Sequence, residues 1–92
     1  MHLHWSRLAY QDRDAIFDHI EAESPSAAIR VDSAIASQAA QLIDFPFSGR
    51  TGRVPGTREC VVSGLPYILI YEVSELTVRI LRVLHAARQW PL

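Results

Sequence analysis

Thr77-Val-Arg-Ile-Leu-Arg-Val-Leu-His-Ala-Ala-Arg-Gln-Trp-Pro-Leu92 is the stretch that decides how this chain folds. Apolar residues alternate with Arg79 and Arg82, which predicts a β-strand over about 77–85. The strand delivers His85, Arg88 and Trp90 just past its end. Two further apolar runs precede it, at about 58–63 and 66–73, separated by Ser63-Gly64-Leu65 and Ser74-Glu75-Leu76. Both separators are short enough for hairpins, so three consecutive strands are expected. Tyr67-Ile-Leu-Ile-Tyr71 is nearly all apolar and is expected to be the central strand, covered on both faces.

Upstream of the strands the period changes. Residues 46–57, with Pro46, Gly49, Gly52, Pro55, Gly56, Arg50 and Arg53, read as an irregular basic loop. Before it, Ala28, Val31, Ile35, Ala39 and Leu42 keep the spacing of a helix seam. Ser24-Pro25 starts that helix, because serine accepts from unpaired helical N–H groups and proline at the first position lacks one. Asp44-Phe-Pro46 ends it. An earlier helix runs from a Ser6 cap to about Glu23, with Ala9, Ile16 and Ile20 on one face. Its alanine-rich successor packs closely on it, an αα-hairpin. His2-Leu3-His4-Trp5 alternates as a short first strand. The order βααβββ implies an α+β fold, a helical hairpin against a mostly antiparallel sheet, with residues 1–92 forming one domain.

Charge is distributed unevenly. The net charge of −1 combines residues 1–47, with seven acids and three Arg (−4), and residues 48–92, with three acids and six Arg (+3). All nine basic residues are Arg, so every positive charge is a planar fork suited to carboxylate or phosphate. No acid follows Glu75, which leaves Arg79, Arg82 and Arg88 without a sequence-local counter-charge. That strand end is suited to gripping an anion or an acidic peptide. Lone Cys60 excludes an internal disulfide and reads as a small buried hydrophobe. No run approaches the ~18 apolar residues of a membrane span, and the amino terminus does not read as a signal peptide, so the cytoplasm is the expected compartment. His2 and His4 share a strand face, but no third metal ligand is evident and no cofactor is expected.

These residues resemble the RelE/ParE superfamily, the toxins of bacterial type II toxin–antitoxin modules. Trp5, Ala9, Asp12, Ile16, Ile20, Ser24-Pro25 and Ala28 carry the likeness in the helical half. In the sheet half it rests on Phe45-Pro46, Gly49-Arg50, Val54-Pro-Gly-Thr-Arg-Glu59, Pro66-Tyr67-Ile68, Tyr71 and Arg82-Val-Leu-His-Ala-Ala-Arg-Gln-Trp-Pro91. The Pro-Gly-Thr-Arg-Glu loop and the Leu-His-x-x-Arg-x-Trp-Pro ending are its specific parts. The chain departs from the pattern at Arg13, where an apolar residue is usual, and at His19, where Tyr is frequent. Arg13 is expected to snorkel or to pair with Asp12, Asp14 or Glu21.

The resemblance implies a growth-inhibiting toxin in a hetero-oligomer with a cognate antitoxin that folds as it wraps the helices and sheet. It offers two targets. A ParE-like toxin inhibits DNA gyrase by protein contact; a RelE-like toxin is a ribosome-dependent endoribonuclease acting on messenger RNA. The absence of lysine and a sequence pI near 6.4 favour the first, since docking on RNA calls for a positive excess. For the second, Glu59 or His85 would be the base, and Arg58, Arg82 and Arg88 would hold the phosphate. Period-2 geometry sends Arg82 and His85 to opposite faces of a regular strand, which weakens any site using both. The plainer readings are that His85 anchors the carboxy terminus and Trp90 closes the sheet by packing. Arg50, Arg53, Arg88 and Trp90 are the candidates for partner contact.

Overall fold

The computed structural model describes residues 1–91; Leu92, the last residue of the stretch quoted above, lies outside the described residues. The elements are β1 (His2–Trp5), α1 (Arg7–Glu21), α2 (Pro25–Asp44), β2 (Arg50–Thr51), β3 (Arg58–Val61), β4 (Tyr67–Val73) and β5 (Thr77–His85). Both helices start on the serines that the sequence marks. Ser6 Oγ accepts from the Ala9 amide at 3.0 Å and donates to the Leu81 carbonyl at 2.8 Å, so one hydroxyl caps α1 and ties it to β5. Ser24 Oγ accepts from the Ala27 amide at 3.2 Å, with Pro25 at the first helical position. α1 stops at Glu21 rather than Glu23, because Ser24 must take an extended conformation to cap α2.

The sheet has the order β1-β5-β4-β3-β2, with β1 parallel to β5 and every other pairing antiparallel. The α+β expectation holds, with one addition. The loop over 46–57 contributes a fifth strand, β2, whose Arg50 and Thr51 pair with Glu59 and Arg58. Two residues flanked by Gly49 and Gly52 carry no alternating pattern from which a strand could be read.

One face of the sheet holds Tyr67, Leu69, Tyr71, Val78, Ile80 and Val83, packed on Ala9, Ile35, Ala39 and Leu42 of the helices. The outer face carries a smaller cluster, Ile68, Ile70 and Leu84, with Trp90 folded back onto it. The central strand is thus covered on both sides, by helices on one and by the carboxy-terminal tail on the other. A bulge in β5 sets which residues look outward. Ile70 pairs with Arg82 and Tyr71 with Ile80, leaving Leu81 as the extra residue. The alternation slips by one there, so Arg79 and Arg82 share the outer face although they stand three residues apart.

The basic loop is pinned from the core. The Tyr71 hydroxyl accepts from the Gly49 amide at 2.9 Å and donates to the Pro46 carbonyl at 2.8 Å. Burial pushes its pKa up, which keeps it a donor. Gly49 allows this approach: a Cβ there would stand 2.5 Å from the hydroxyl and 2.8 Å from the Glu59 carbonyl oxygen. Arg13 pairs with none of Asp12, Asp14 and Glu21. It reaches Asp32 on α2, at 3.0 Å and 2.8 Å, and lies 4.5 Å over the Trp5 ring. Its position on α1 faces the second helix, so the partner comes from across the hairpin.

Candidate functional site

The outer face of the sheet gathers most of the charged residues singled out by the sequence. At its β3 side Glu59 is 3% exposed, yet its carboxylate is fully engaged. It accepts from Arg50 Nη2 at 2.9 Å, Arg53 Nε at 3.1 Å, Arg53 Nη2 at 3.0 Å and the Arg53 amide at 2.9 Å. The Arg53 side chain first, helped by its amide and by Arg50, holds the Glu59 pKa down at about 2 against the opposing effect of burial. Arg50 and Arg53 therefore fold the loop onto β3, with their outer edges left in solvent.

At the β5 side Arg82 meets Asp12 of α1 through Nε at 2.8 Å and Nη2 at 3.0 Å. The same carboxylate accepts from the Val83 amide at 2.9 Å, beyond the end of β1, where that edge of β5 has no strand partner among the described residues. Arg82 lies 5.9 Å from the Trp90 ring, and the Trp90 Nε1 is buried with no acceptor among the described residues. Arg79 approaches Glu72 at 3.7 Å, both groups about half exposed. Two of the three arginines that lack counter-charges nearby in sequence, Arg82 and Arg79, thus acquire them from α1 and β4.

Glu59, Ile70 and Arg82 form a cross-strand row. Neighbouring strands are ~4.8 Å apart, so Glu59 and Arg82 stand about 10 Å apart with an isoleucine between them. Arg58 and His85 belong to the opposite face, across from Tyr71 and Tyr67. Arg58 donates to the Gly49 carbonyl at 2.9 Å and lies 5.0 Å from the Phe47 ring. His85 is exposed; its Nδ1 accepts from the Ala87 amide at 3.0 Å and its ring meets Tyr67 edge-on. Arg88 is exposed in the turn that follows, its amide bonded to the His85 carbonyl at 2.9 Å. Of the five residues considered for RNA cleavage, Glu59 and Arg82 lie on one face, Arg58 and His85 on the other, and Arg88 in the turn beyond the sheet. Asp12 and Arg7, both prominent around this surface, were not singled out as site residues by the sequence, because their partners and neighbours come from β5.

The Glu59 clamp has a pH signature. A carboxyl held at about 2 in the fold, against an ordinary ~4.3, contributes stability that is complete above about pH 5. That contribution is lost as pH falls through the interval toward 2. Acid unfolding followed by circular dichroism is expected to steepen below pH 5 in the natural protein. The slope should flatten in Glu59→Gln; equal slopes would mean that the clamp does not form.

Known proteins add an independent line. A family model described as the ParE toxin of type II toxin–antitoxin systems, parDE, matches residues 3–90. The chain is 42% identical over 89 residues to Y4kP of Sinorhizobium fredii, covering 97% of this chain and 92% of that protein. It is 38% identical over 84 residues to Toxin RelE2 of Caulobacter vibrioides, covering 91% and 93%. A solved structure of the chromosomal ParDE toxin–antitoxin system from P. aeruginosa superposes with a TM-score of 0.84 at 31% identity, covering 92% of this chain and 95% of that one. With the two helices on a five-stranded sheet, these matches place the chain in the ParE toxin family of type II toxin–antitoxin systems, and its partner is an antitoxin.

Proposed function

We propose that this toxin acts in the cytoplasm as a single domain that inhibits DNA gyrase by protein contact, with no bond-breaking chemistry of its own. The observation that carries this reading is the division of Glu59 and Arg82 from Arg58 and His85 by the sheet, with Glu59 locked by two arginines. General acid–base catalysis needs its groups within hydrogen-bond reach of one substrate. A net charge of −1 also suits a protein target better than ribosomal RNA. Arg88, the exposed outer edges of Arg50 and Arg53, and Trp90 are the contacts proposed for antitoxin or target.

The test adds purified toxin to gyrase and relaxed plasmid. Loss of supercoiling with trapped cleaved DNA is the expected result. Intact supercoiling, with messenger RNA cut inside codons on ribosomes, would replace it with the RelE-like reading that the Caulobacter relative's name keeps in view. His85→Gln retains packing and one hydrogen-bonding edge, so its toxicity should stay within about threefold of the natural protein. A catalytic imidazole would instead account for a factor of ~100 to ~10,000.

A further inference from the structure

A groove of about 380 Å³ lies where the start of α1 meets the bulge of β5. Leu8, Leu81 and Trp90 supply apolar walls, and Arg7, Arg79 and Arg82 supply the cations. The bulge makes this grouping, since in a regular strand the two β5 arginines, three residues apart, would point to opposite faces.

The three arginines are not equally neutralised. Arg82 is held by both oxygens of Asp12, whereas Arg79 approaches its acid only at 3.7 Å with half of each group in water. Arg7 is the first residue of α1, whose first turn contains no acid. A cation is locally unfavourable there because the helix's N-terminal end already carries positive partial charge. Leu8 beside it is 53% exposed. The fold alone gains little from an exposed arginine at a positive helix end, next to an exposed leucine. An incoming carboxylate and apolar side chain would use both.

We propose that this groove docks an acidic segment of the antitoxin, an apolar side chain entering between Leu8 and Trp90 while flanking carboxylates meet Arg7 and Arg79. The proposal rests on the antitoxin-bound toxin reading above and adds a place and a chemistry to it. A short peptide fits better than a nucleic-acid strand. Beyond the paired Asp12, the helix leading away from the groove carries the exposed Asp14 and Asp18, and the chain's net charge is −1. A continuous polyanion would be repelled along that path, whereas one or two carboxylates would not.

The experiment titrates the antitoxin of the same parDE-type pair against natural toxin, Arg7→Glu/Arg79→Glu and Leu8→Ala, with Arg30→Glu on α2 as a single charge reversal outside the groove. Folding is checked by thermal melting. The double reversal should weaken binding about tenfold or more at ~50 mM salt and by only about threefold at ~500 mM, as screening takes over. Leu8→Ala should weaken it about threefold at both salts, and gyrase inhibition by the variants should persist. Unchanged antitoxin affinity overturns the proposal. Loss of gyrase inhibition with affinity intact would make the groove target-facing instead. If the natural toxin leaves gyrase untouched, the gyrase reading fails while the affinity comparison still decides the groove.

Discussion

Asp12→Ala is expected to destabilise the protein by about 3–5 kcal/mol, the range seen when one partner is taken from a largely buried ion pair. The Asp12 and Arg82 side chains are 13% and 16% exposed, so the guanidinium left behind cannot recover water fully. The carboxylate also serves the Val83 amide, at a place beyond the end of β1's pairing with β5. Asp12→Ala therefore orphans a cation and a backbone donor together. A urea titration measures the loss as a lower midpoint at unchanged slope. Asp12→Ala combined with Arg82→Leu should recover part of it, since the unpaired charge goes too. A loss below about 1 kcal/mol would mean that Arg82 finds solvent easily and that α1 is held to β5 chiefly by Ser6 and apolar packing.

Glu59→Gln is the second large effect, expected at about 2–4 kcal/mol. The carboxylate takes four donors with two oxygens while its side chain is 1% exposed. An amide presents one acceptor and one donor, so an N–H group would face guanidinium N–H groups. Arg50 and Arg53 can turn to water, since their side chains are 64% and 44% exposed. The loss should then concentrate in the loop, where amide hydrogen exchange over 50–57 should accelerate before the rest of the sheet. The variant also separates structure from catalysis. At a temperature where Glu59→Gln is folded, contact-based toxicity should survive through Arg88 and Trp90; a harmless variant that binds antitoxin and keeps the loop over 50–57 protected from exchange would point to proton transfer by Glu59.

Much of the architecture is legible because its signals are local. Ser6 and Ser24-Pro25 mark helix starts through hydrogen bonds reaching three residues along the chain. The apolar run of β4 and the alternation of β5 mark strands through a period of two. The same period separates Arg82 from His85, as it does in the fold. The two-residue β2 escapes such a reading because it exists only where Glu59 and Arg58 pair with it.

By itself, then, the sequence determined the helical hairpin, the order of the longer strands, the covered central strand and the motifs that place the chain among ParE-type toxins. Only the tertiary structure decided which charges are free. The arginines of the acid-free ending looked unpaired because counter-charges were sought within a few residues, yet Arg82 finds Asp12 from 70 residues away and Arg79 finds Glu72 across a hairpin. It likewise decided that Arg50 and Arg53 clamp Glu59, and that Leu81 slips the alternation so that Arg79 joins Arg82 beside Trp90. The reason is physical. Helical and strand periods report neighbours a few residues apart, whereas ion pairing and bulge register depend on which distant elements meet once the core has closed.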